Sequence, residues 1–146
     1  TAWCHGSSGI GLARLTIPQD VDPHGRTAVR IALREALCGS QLPDDSLCHG
    51  NLANLELVMT IGHHFRDAAL VQKAQILAVE LVKASIWRGW RSGHPTGLEI
   101  PGLFTGLSGI GYGLLRLADP DRTPSVLLLE PPPQDSFKHK ASSGAI

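Results

Sequence analysis

Cys-His-Gly occurs twice in this chain, as Cys4-His5-Gly6 and Cys48-His49-Gly50. Thiolate sulfur and imidazole nitrogen are the donors that a zinc ion takes most readily. Cys4, Cys48 and His49 form a candidate set of two sulfurs and one nitrogen. A zinc ion with three protein ligands keeps a fourth position open for water or substrate, the arrangement of a catalytic rather than a structural site. Cys48 and His49 are adjacent, and neighbouring residues on a helix point about 100° apart. They converge on one ion only from irregular backbone just ahead of a helix, with Gly50 permitting the turn. A helix N-terminus also favours thiolates. On these residues alone the plainer alternative stays open: two reduced cysteines buried as small apolar groups, with histidines beside helix starts.

Bringing residues 4 and 48 together needs a repeated scaffold. Three segments share one frame: Trp3 to Gly11, Leu47 to Leu55, and Phe104 to Tyr112. Gly6, Gly50 and Gly106 align, as do Gly9, Ala53 and Gly109, at a period of about 44 to 56 residues, which suits stacked helical pairs. The third copy keeps the glycines and lacks the ligands. Helices are expected over 9–16, 51–64 and 109–118, each following its glycine turn, with a second helix of each pair over 25–38 and 66–86. Val29, Leu33 and Leu37 recur on one face of the 25–38 segment, opposite Arg26, Arg30 and Arg34. Leu70, Ala74, Leu77 and Leu81 do the same in 66–86, and Asp119-Pro120 should stop the helix before it. Residues 87–104 read as a long loop of the kind that carries function. A short docked segment, extended in form, is expected after Pro124, and a disordered tail from Gln134. No single repeat can bury its own apolar face, so neighbours must stack.

The remaining chemistry-bearing residues are weaker candidates. His5 occupies the column of His49, and as a fourth ligand it would close the site, so it reads as an auxiliary acid or base. Cys38 ends an amphipathic helix and reads as core. His24, His63 and His64 read as surface or capping residues, and Trp3 as packing. His94, Arg91 and Glu99 share the long loop and could face the site. The Gly6–Gly11 turn lacks the preceding strand and the Gly-Lys-Ser/Thr ending of a phosphate-binding loop.

Composition limits the rest. The chain has 146 residues, no formal net charge and a pI near 7.0, so nothing marks it for nucleic acid. No apolar run approaches the roughly 18 residues that span a bilayer, and no secretory signal is visible at the start. Three cysteines do not pair into a framework and fit a reducing, cytoplasmic setting.

Taken together, Trp3-Cys4-His5-Gly6, Cys48-His49-Gly50-Asn51 and the run Pro101 to Tyr112 resemble the C-terminal end of a lanthionine synthetase C-like cyclase domain. The stretch from Leu114 to Leu117 and from Pro124 to Glu130 is similar to the bifunctional, class II lanthipeptide synthetases in particular. The resemblance covers residues 1–133 and leaves 134–146 as tail. It implies an all-α fold, part of an α/α toroid of inner and outer helices, here the last three or so helical hairpins. It implies zinc held by Cys4, Cys48 and His49. The implied reaction is addition of a peptide cysteine thiolate to dehydroalanine or dehydrobutyrine, giving lanthionine or methyllanthionine rings. The implied partner is a dehydrated precursor peptide with its leader. An assisting aspartate, histidine and arginine, and an ATP-using dehydratase domain, would lie N-terminal to Thr1 in the missing part of the same enzyme. The chain alone is therefore expected to be an inactive fragment. The competing expectation is a non-catalytic zinc toroid that binds thiol peptides or glutathione.

Overall fold

A computed structural model describes residues 1–39 and 41–133. Among them are five α-helices and no strand: α1 (Ser7–Leu15), α2 (Gly25–Cys38), α3 (Asn51–His64), α4 (Ala68–Arg88) and α5 (Leu107–Ala118). The all-α expectation holds. The α1 and α5 helices start two residues earlier than the sequence pattern suggested, because each begins directly after its frame glycine, as α3 does.

The three frames fold alike. Residues 3–6, 47–50 and 103–106 each make one turn that leads straight into a helix. Gly6, Gly50 and Gly106 are the N-caps, with ψ of −170°, −172° and −171°. Glycine is needed there by close approach: a Cβ on Gly6 would lie 2.6 Å from the Ala2 nitrogen, and one on Gly50 would lie 2.7 Å from the Asp45 carbonyl carbon. A methyl cannot be that close to backbone without moving it.

The helices form two layers. The α1, α3 and α5 helices lie side by side, α2 backs α1, and α4 backs α3. This two-layer packing agrees with the inner and outer helices expected of a toroid arc. The α3 helix is central and accordingly apolar on nearly every side, burying Leu52, Ala53, Leu55, Leu57, Val58, Met59 and Ile61. Leu12, Val29, Ala32, Ala74, Leu81, Ile110 and Leu117 close around it from the other four helices. Outer helices bury only one stripe. On α4 that stripe includes Ala74 and Leu81, while Ile76, Val79, Ile86 and Trp87 are exposed. Asp67 caps α4, its carboxylate accepting the Leu70 N–H at 3.0 Å.

Two expectations need correcting. Cys38, expected in the core, is exposed at the last position of α2, because the buried stripe of that helix runs through Val29 and Ala32 and has turned away by residue 38. The segment after Pro124 is docked but not extended. Residues 126–129 form a turn closed by the Glu130 N–H on the Ser125 carbonyl at 2.9 Å, with Leu129 at φ 55° and Leu127 buried. Among the described residues the third hairpin thus has one helix, α5, followed by irregular chain. The tail assigned from Gln134 onward lies outside the described residues.

Candidate metal centre

Backbone hydrogen bonds join the three frames in series. The Trp3 N–H donates to the Cys48 carbonyl at 2.8 Å, and the Cys48 N–H donates to the Phe104 carbonyl at 2.9 Å. The Trp3 and Phe104 rings stack, their centroids 5.3 Å apart and their planes within 7°. The Trp3 indole N–H reaches the Leu127 carbonyl at 3.2 Å, so this residue packs, as the sequence suggested. On α1 and α3, the Ser8 hydroxyl donates to the Asn54 side-chain oxygen at 2.5 Å. These links put the first turn directly against the second.

The result is a cluster. One donor atom each from Cys4, Cys48 and His49 lies within 4.8 Å of the others. In a tetrahedral zinc site, with Zn–S about 2.3 Å and Zn–N about 2.0–2.1 Å, ligand atoms sit roughly 3.5–3.8 Å apart. The three donors fit that ion after a small contraction. All three cysteines are free thiols, which the donor set requires. Burial pushes the Cys48 thiol up to about 11, and the neighbouring Cys4 sulfur and Asp44 carboxylate add to the shift. Only the thiolate ligates, so a cation bound here would have to displace that proton.

His5 is exposed, and its Nδ1 is 3.0 Å from the Cys4 sulfur. It therefore borders the cluster from the solvent side. His94 is half-buried and turned toward its own loop, with Nδ1 2.7 Å from the Thr96 hydroxyl. It is not in the donor cluster. Glu99 is exposed. Arg91 donates to the Leu42 carbonyl at 2.9 Å and supports the loop. His24, His63 and His64 are exposed, His24 at the N-cap of α2 and the pair in the last turn of α3.

Sequence reasoning passed over the groups around His49. Its Nε2 is 3.1 Å from the Gly93 carbonyl and 3.5 Å from an Asp44 carboxylate oxygen. Asp45, next in the chain, is fully buried and receives a bidentate pair from Arg88, both bonds 2.8 Å. It also accepts the Arg91 N–H and an Asn51 side-chain N–H, each at 3.0 Å. Burial alone would raise its carboxyl, but the Arg88, Arg91 and Asn51 bonds outweigh burial and hold it below the usual range. The adjacent acidic pair Asp44-Asp45, four residues ahead of the ligands, was the available signal.

The chain matches the family described as lanthionine synthetase C-like protein over residues 1–128. It belongs to that family. A relative, the lacticin 481/lactococcin biosynthesis protein LcnDR2 of Lactococcus lactis subsp. lactis, is 32% identical over 127 residues. That alignment covers 78% of this chain and 14% of the relative, so the chain spans a small part of the relative's length. No solved structure matches. The lanthionine synthetase C-like assignment agrees with the two-layer helical fold and with the resemblance carried by the Cys-His-Gly frames. Among the described residues no helix is long and apolar enough to cross a membrane.

Proposed function

We propose that this chain is the metal-binding part of a zinc-dependent lanthipeptide cyclase, working in the cytoplasm on a dehydrated precursor peptide and its leader. The observation that carries the reading is the convergence of Cys4, Cys48 and His49 from two successive repeat turns, in a member of the lanthionine synthetase C-like family. The name of the lactococcal relative, a lacticin biosynthesis protein, points to the same substrate class. Zinc, when bound, would supply a Lewis acid that makes a peptide thiol nucleophilic at neutral pH.

The chain's own residues account for the rest of the site. Cys4, Cys48 and His49 would hold the ion and leave one position free for the incoming sulfur. Cys4, one of the three, is exposed to solvent. His5, whose Nδ1 is 3.0 Å from the Cys4 sulfur, would receive the proton that the peptide thiol loses. The reaction is an addition: a bond forms between sulfur and the β-carbon of dehydroalanine or dehydrobutyrine, the C=C bond becomes single, and one proton is delivered to the α-carbon. Nothing leaves, so peptide mass is unchanged while one free thiol disappears.

That balance defines the test. A dehydrated, thiol-containing peptide is incubated with the zinc-loaded intact enzyme of which this chain would be a part, and residual thiol is counted by alkylation. Zinc-dependent loss of thiol at constant mass, abolished in Cys48→Ala, is the expected result. If the peptide binds and every thiol stays alkylatable, the protein is instead a thiol-peptide-binding member of the family.

A further inference from the structure

A backbone carbonyl can only accept a hydrogen bond. The Gly93 carbonyl is 3.1 Å from the His49 Nε2, so that nitrogen carries the proton. The imidazole then has its lone pair on Nδ1. Asp44 adds a charge on the same side: one carboxylate oxygen is 3.5 Å from Nε2, and the other is held by the Ser46 N–H at 2.8 Å. Asp44 is buried, so its charge acts across little solvent. Metal-binding histidines commonly donate their second ring N–H to a carbonyl or carboxylate, which sets the tautomer and the ring orientation.

Gly93 also supplies the space. A Cβ at this residue would lie 2.7 Å from the His49 Nε2, 3.0 Å from its Cε1 and 2.8 Å from the Ser46 hydroxyl. Any side chain at residue 93 must push the ring out of its seat. The loop that carries Gly93 runs from α4 to α5 and is fastened on both sides. Two residues before Gly93, Arg91 exchanges backbone bonds with Asp45: its N–H goes to the carboxylate at 3.0 Å, and its carbonyl accepts the Asp45 N–H at 2.8 Å. The Gly93 N–H itself donates to the Thr105 carbonyl at 2.7 Å, one residue after the carbonyl that receives Cys48.

We propose that the α4–α5 loop is a positioning device for His49: the Gly93 carbonyl, with Asp44 beside it, fixes the Nε2–H tautomer and presents Nδ1 to the metal. Gly93 and Asp44 are positioning residues; neither touches substrate. Only the metal half of this statement rests on the zinc reading. The ring tautomer stands by itself.

The first test needs no variant. Long-range ¹H–¹⁵N correlation of the metal-free chain at neutral pH reports which ring nitrogen of His49 is protonated. The Nε2–H form is expected, and an Nδ1–H form would overturn the proposal. The second test compares wild type, Gly93→Ala and Asp44→Asn for zinc affinity by chelator competition, and for the d–d spectrum of the cobalt(II) form. Both variants should bind zinc about 10–100-fold more weakly, and Gly93→Ala should mix the tautomers while helical circular dichroism is unchanged. Wild-type affinity and spectrum in Gly93→Ala would contradict it. If wild type binds no zinc but shows His49 as Nε2–H, the zinc reading fails and the positioning of the ring survives.

Discussion

At the scale of single residues, the chain separates cysteines by surroundings rather than by type. Cys48 lies half-buried at the foot of α3 with Cys4 and His49 beside it, and Cys38 stands exposed at the end of α2 with neither. Cys48→Ala should therefore abolish stoichiometric zinc binding, while Cys38→Ala should leave about one zinc per chain; metal analysis after gel filtration distinguishes them. The cluster was legible because the Cys-His-Gly tripeptide repeats in a shared frame. What holds the histidine was not legible. Gly93 is one of 16 glycines, and nothing local marks it as the one against an imidazole. Its role arises from a contact between residues 44 positions apart.

At the scale of elements, helices were legible and loops were not. Periodic apolar positions and glycine turns placed all five helices within about two residues, a normal margin for helix ends. The α4–α5 loop has no period to read. Its shape comes from Asp45, which lies far away in sequence and takes two bonds from Arg88 and one from the Arg91 N–H. Arg88→Met should destabilise the protein by about 3 kcal/mol, because it removes the bidentate partner of a buried carboxylate, and chemical denaturation checks this. The segment after α5 is held in a second way. Glu56 of α3 accepts the Ser125 hydroxyl, Arg116 of α5 lies 3.9 Å from Glu56 and 3.6 Å from Glu130, and Arg116 also donates to the Pro120 and Thr123 carbonyls. Burial raises the Glu56 carboxyl, Ser125 and Arg116 oppose that, and Glu130 adds to it. A raised carboxyl means that the folded state holds the proton longer, so this group costs stability as pH climbs from about 4.3 through its folded value. Denaturation midpoints of wild type should fall across that window, and those of Glu56→Gln should stay flatter. A slope identical in both would contradict it. Asp45 acts in the opposite sense and lower down, its stabilisation fading only as pH drops below about 3.9.

At the scale of the whole molecule, stability and the candidate site share one part, helix α3. It supplies Leu52 and Leu57, both fully buried, to the core, and the turn at its N-terminus supplies Cys48 and His49. Leu57→Ala, remote from that turn along the helix, should cost about 2–5 kcal/mol and lower the zinc occupancy only through unfolding, so occupancy should follow the folded fraction seen by circular dichroism. The layering of inner and outer helices was implied by the sequence through the repeat period and the family resemblance, since each hairpin must bury its face on the next. Docking of the segment after Pro124 was legible in its apolar run; the turn it forms was not, because the Glu130 N–H on the Ser125 carbonyl and the burial of Ser125 are set by tertiary contacts. The account as a whole depends on the metal and its three ligands. X-ray absorption at the zinc edge of the purified chain tests it most directly. Two sulfurs at about 2.3 Å with nitrogen at about 2.0 Å are the predicted shell; a shell of nitrogen and oxygen alone, or a chain that takes up no zinc, would contradict it.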